Sequence, residues 1–167
     1  MKAAQRLADG IDAFTDLVGR ATSWLALGLA LVMGANVLLR YGFSIGRIWA
    51  QELEWHLLVP IVLFGMSYAL RHGEHVRVDV LFARFSPRAK VAIDIVSALL
   101  AMAFSVIVIW LSIHYVAQAW SANEASPNPG GIDHRYIVKS LIPIGFALLL
   151  VQSLSQLIRS TIAFRSE

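Results

Sequence analysis

The sequence predicts an all-α integral membrane protein: four transmembrane helices, flanking interfacial amphipathic helices, and both termini in the cytoplasm. Three observations carry this expectation. The 167 residues are 57% hydrophobic and only 15% charged, with a mean hydropathy of +0.65, which is too apolar for a soluble domain of this size. Charge-free runs recur at the length a helix needs to cross a hydrocarbon core of about 30 Å, at about 1.5 Å per residue. Lys and Arg bracket those runs and are shared unequally between the two sides of the membrane.

The elements follow in chain order. Ala3, Leu7, Ile11, Phe14 and Val18 recur at helical spacing, with Asp9, Asp12 and Asp16 largely off that stripe. This predicts an amphipathic interfacial helix over about 3–19. A cleaved signal peptide does not fit, because the first apolar run starts only after Arg20 and three aspartates precede it. The first crossing is Ala21 to Leu39, a helix of about 21–40. The second is Trp55 to Leu70, extended back to about Ile48, a helix of about 48–70. Val76, Val78, Val80, Leu81, Phe82 and Phe85, mixed with Arg77, Asp79 and Arg84, predict a second interfacial segment over about 75–85. Ser86-Pro87 then reads as an N-cap with proline at the first helical position. It opens a third helix over about 88–120, whose charge-free stretch from Ile95 to Asn123 exceeds the hydrocarbon thickness and must tilt or project. The Ser121–Asp133 stretch contains SPNPGG, a turn-rich loop. Ser140 to Ile158, between Lys139 and Arg159, predicts the fourth helix over about 139–160. Residues 1–167 form one membrane domain.

Charge sets the orientation. With a cytoplasmic N-terminus, ten basic residues lie inside (Lys2, Arg6, Arg20, Arg71, Arg77, Arg84, Arg88, Lys90, Arg159, Arg165) and four outside (Arg40, Arg47, Arg135, Lys139). The basic residues bracket apolar runs instead of forming one face, so membrane lipids are the expected partner and nucleic acid is not. With no cysteine, disulfides, thiolate metal sites, iron–sulfur clusters and covalently attached haem are excluded.

Little in the chain looks catalytic. Glu52 and Glu54 could form a cation or proton site, but carboxylates beside a helix start more often cap it or meet a partner. His56 and His114 fall on the same side of the predicted bundle, so a haem between helices two and three is conceivable. The alternative function is therefore a haem-binding membrane anchor of a respiratory enzyme. Arg71, His72, Glu74, His75, Arg77 and Asp79 read as a solvated interfacial salt-bridge network, with Arg71 reaching headgroups or carbonyls. Asp94 sits shallowly in helix three. No nucleophile–base pair, metal spacing or phosphate loop occurs, so no enzyme is expected. Small residues recur every four positions at Ala26, Ala30 and Gly34, at Gly65 and Ala69, and at Ser97, Ala101 and Ser105. Such faces let membrane helices approach closely, within the chain or against a partner.

The stretch WAQELEWHLLVPIVLFGMSYALRHGEHVRVDVLFARFSPR resembles the signature region of the small membrane subunit of tripartite ATP-independent periplasmic (TRAP) transporters, the DctQ type. Trp49, Glu52, Gly65, Arg71, Gly73, His75, Val76 and Asp79 match its pattern. SPNPGG and LIPIGFALL resemble a subgroup labelled mannitol or chloroaromatic transport. The resemblance implies a static scaffold in the bacterial inner membrane. It would bind a large membrane subunit one-to-one and serve a periplasmic substrate-binding protein, in Na⁺-coupled import of small organic acids or related solutes. It implies no cofactor here, Na⁺ belonging to the elevator-type large subunit.

Overall fold

The computed structural model describes residues 2–74 and 85–166, and within them four helices: α1 (Lys2–Phe43), α2 (Ile48–His72), α3 (Pro87–Ser121) and α4 (Tyr136–Ser166). All four are long and apolar enough to cross a membrane, and no strand occurs among the described residues. The predicted interfacial segment over about 75–85, with His75 and Asp79, lies outside the described residues except for Phe85.

The helices alternate in direction, so one end of the bundle gathers the starts of α1 and α3 with the ends of α2 and α4. This is called the terminal end here, and the opposite end the loop end. α4 is the hub: it packs against α3 most extensively, and also against α2 and α1. Its seam with α3 is narrow. Ala98, Ser105, Ser112 and Ala119 are the buried residues of α3 and recur every seven positions, the spacing that keeps one stripe facing a neighbouring helix. Ser97 of the expected small face is exposed, because a heptad and not a strict four-residue repeat defines the seam. The α2–α4 approach is close. A Cβ on Gly145 would lie 2.7 Å from Leu63 Cβ, so only glycine fits.

The first helix departs from expectation. The segment over about 3–19 and the first crossing form one uninterrupted helix of 42 residues. At about 1.5 Å per residue it is roughly 63 Å long, far more than a hydrocarbon core needs. Its buried residues are Ala8, Asp12, Thr15, Gly19 and Thr22, the small and polar ones, whereas Leu7, Phe14 and Leu17 of the apolar side are exposed. The base of α1 is thus inverted relative to a soluble amphipathic helix, with polar groups bonded inward and apolar groups outward.

Helix ends follow the sequence. The Ser86 hydroxyl accepts a hydrogen bond from the Ala89 amide at 3.3 Å, with Pro87 opening α3. Gly73 ends α2 at φ 73°, a left-handed conformation that glycine adopts without the Cβ penalty. There its amide reaches Leu70 O, and the Glu74 amide reaches Ala69 O at 3.0 Å.

Candidate functional site

Two polar clusters, one at each end of the bundle, contain most of the buried charge of the described structure. At the loop end Glu52 is 1% exposed. Its carboxylate accepts hydrogen bonds from Ser126 Oγ at 2.5 Å, Asn128 Nδ2 at 3.3 Å and the Ile132 amide at 2.7 Å, with Arg135 Nη2 at 3.6 Å. SPNPGG is therefore wrapped around one acid from α2. Gly131 permits it, since a Cβ there would fall 2.3 Å from Ser126 Oγ and 2.7 Å from Glu52 Oε2. The paired acids diverge, as residues two apart on a helix must: Glu54 accepts from Asn36 Nδ2 of α1 at 2.7 Å. Neither caps α2, correcting the helix-start expectation. The N-cap is Arg47, and the first turn has no acid.

At the terminal end Asp12 is 2% exposed. It accepts from Gln152 Nε2 at 2.9 Å, Ser155 Oγ at 2.7 Å and Arg159 Nε at 2.9 Å, all on α4. Arg159 also bonds Asp9 at 2.7 Å, and Thr15 Oγ1 donates to Gln152 Oε1 at 2.7 Å. Arg71 lies 3.5 Å from Asp12 and 3.8 Å from Asp16, and His72 Nε2 is 3.1 Å from Asp16. Arg71 thus turns inward to Asp12 and Asp16, two acids of α1 about one helical turn apart. Tyr68 meets the ring of His72 at a tilt of 55°, with ring centroids 4.4 Å apart. Its ring covers Gly19, where a Cβ would fall 2.0 Å away.

The remaining expected site residues fall into two groups. Arg71, Gly73 and Glu52 are structural anchors. Trp49, Ala26, Ala30 and Gly34 face outward, and neither Gly34 nor Gly65 has a neighbour within 4 Å of an added Cβ. The Ala26/Ala30/Gly34 face is therefore left exposed among the described residues. His56 and His114 each place Nδ1 on a carbonyl oxygen four residues back, at 2.7 and 3.0 Å. The partners of Asp12 on α4 were missed from sequence. Their signal was present: Gln152, Ser155 and Arg159 recur at three and four residues, on the face of an apolar helix that ends in an arginine.

Comparison with known proteins bears on the chain as a whole. The model of the DctQ component of tripartite ATP-independent periplasmic transporters matches residues 29–162. The chain belongs to this DctQ family. Among curated relatives, the ectoine TRAP transporter small permease protein TeaB of Halomonas elongata is 27% identical over 139 residues, covering 81% of this chain and 71% of its own. The C4-dicarboxylate TRAP transporter small permease protein of Vibrio cholerae is 27% identical over 157 residues, covering 81% and 68%. That of Rhodobacter capsulatus is 29% identical over 109 residues, covering 64% and 46%. As a DctQ member this chain is a multi-pass membrane component of a transporter and not an enzyme. Of its signature region, Glu52 and Arg71 fasten the 126–132 loop and α1 to α2, and Gly73 ends α2.

Proposed function

We propose that this DctQ-family chain is the fixed subunit of a Na⁺-coupled TRAP importer in a bacterial inner membrane, with both termini cytoplasmic. It binds one large membrane subunit, which carries the substrate and Na⁺ sites and moves as an elevator, while a periplasmic binding protein delivers the solute. Small organic acids or related solutes are the substrate class. One observation carries the reading: Asp12 and Glu52, the two buried acids of the described structure, each have their oxygens occupied by donors from the chain itself. A carrier needs coordinating groups free to bind and release its cargo, and these acids are committed to holding helices together.

The open face of α1 supplies a contact for the large subunit. Small residues in apolar surroundings allow close backbone approach, the main source of helix attraction in lipid. Reconstitution tests the division of labour. Proteoliposomes holding this chain alone under a Na⁺ gradient take up no solute, and adding the large subunit and binding protein restores uptake. Substrate-specific uptake by the chain alone overturns the scaffold reading. Gly34→Leu or Ala30→Phe lowers co-purification of the large subunit in mild detergent. Unchanged yield and stoichiometry with both substitutions moves the contact to another helix.

A further inference from the structure

A groove of about 500 Å³ runs between α2 and α4 at the loop end, with Tyr115 of α3 on its edge. Its size is that of a small-ligand site, and its chemistry changes along its length. α2 and α4 run the same way here, so residue order gives depth. Trp55, His56, Arg135 and Lys139 stand at the rim, while Val59, Val62, Leu63 and Ile142 line the deeper part. From Trp55 to Val62 the helix rises about 10 Å toward the middle of the span. Trp120 and Tyr136, ring centroids 4.5 Å apart, sit at the same end. Aromatic residues of this kind mark the headgroup level of a bilayer.

The two rim cations have donor capacity left over. Arg135 Nη2 is 3.6 Å from a Glu52 carboxylate that already accepts from Ser126, Asn128 and the Ile132 amide. A guanidinium has five N–H groups, and this contact is too long to be a hydrogen bond. Lys139 pairs with Glu124 and lies 3.9 Å from the Tyr115 ring centroid, which uses part of a three-donor ammonium. Both side chains line the groove.

We infer that this groove is a binding site for one glycerophospholipid, its phosphate on Arg135 and Lys139 and one acyl chain along Val59, Val62 and Ile142. Donor complementarity selects this occupant over an apolar partner helix: the spare N–H groups of two ion-paired cations above an aliphatic slot match a phosphate above a hydrocarbon chain. The inference rests on the membrane setting and not on the transport reading, since lipid binding is measured on the chain by itself.

The test is native mass spectrometry of the full chain, purified in mild detergent, stripped of lipid and titrated with phosphatidylglycerol. Diacylglycerol with the same chains serves as the phosphate-free probe. One phosphatidylglycerol binds per chain, and diacylglycerol binds more weakly. Val62→Trp, placed in the groove at a position already 53% exposed, abolishes the one-to-one adduct. Val106→Trp, on α3 at 52% exposure, leaves it intact. Lys139→Gln weakens phosphatidylglycerol binding about fivefold, the usual worth of one basic residue beside an anionic lipid, and leaves diacylglycerol binding unchanged. Equal loss from Val62→Trp and Val106→Trp overturns the site. Equal binding of both lipids by the unaltered chain, or phosphatidylglycerol binding unchanged by Lys139→Gln, overturns the phosphate assignment without needing any groove-filling variant. Expulsion of the lipid by the added large subunit, with loss of that subunit on Val62→Trp, assigns the groove to a partner helix instead.

Discussion

Asp12→Ala removes the anion that ties the base of α1 to α4. Asp12 is 2% exposed and accepts from Gln152, Ser155 and Arg159 at 2.7–2.9 Å. Two of these partners, Gln152 and Ser155, are 2% and 0% exposed. Losing the acceptor leaves their donors unpaired, at about 1–3 kcal/mol for each buried group. Arg159 loses less, because its side chain is 46% exposed and keeps Asp9. Ser155 also recovers part of its loss through Ala8 O at 3.3 Å. The terms share one network and do not add in full, so a destabilisation of about 3–4 kcal/mol is expected for Asp12→Ala. For a chain of this size that lowers Tm by about 10 °C. Thermal unfolding of the purified chain in detergent measures it. Asp12→Asn, which keeps one acceptor, falls between wild type and Ala. A cycle with Ser155→Ala reads the coupling directly, and the double variant should lose less than the sum of the singles. If Asp12→Ala and Asp12→Asn both leave Tm unchanged, the cluster does not hold these helices and the reasoning is refuted.

Three further outcomes follow from the same geometry. Glu52→Gln replaces an acid acceptor with a weaker one that also carries donors, so the 126–132 loop loosens; hydrogen exchange at the Ile132 amide should rise, and no change would detach the loop from Glu52. Gly131→Ala drives a methyl group to 2.3 Å from Ser126 Oγ, so folded yield falls, whereas Gly65→Ala, with nothing within 4 Å, leaves yield intact. Gly73→Ala forces a Cβ into the left-handed C-cap at φ 73° and costs about 1–2 kcal/mol, read as a lower Tm.

The four crossings were legible because hydrocarbon sets both the length and the charge pattern of a spanning helix, and the charges at Arg20, Arg40, Arg71, Lys139 and Arg159 stand in the sequence. Ser86-Pro87 was legible because capping is local chemistry. The inward face of α1 was not. An amphipathic stripe shows that a helix has two sides, but not which side meets protein when the surroundings are lipid or a partner. Leu7 and Phe14 looked like the anchoring face, and Asp12 with its distant partners on α4 is what turned the helix round. The role of Glu52 was hidden for the same reason, since its ligands lie 74 to 80 positions away in the Ser126–Ile132 loop.

The Asp12 network also sets an order of events during synthesis. Gln152, Ser155 and Arg159 stand 140, 143 and 147 positions after the acid they bind, so they leave the ribosome long after α1 has entered the membrane. Until α4 arrives, the base of α1 has an anion with none of its donors from that helix, and the polar face there stays wet. The last helix is therefore the one that closes the bundle. A nascent chain stopped before residue 152 ties the base of α1 to α2 through Arg71 and His72 on Asp12 and Asp16, but lacks every donor that α4 brings to Asp12.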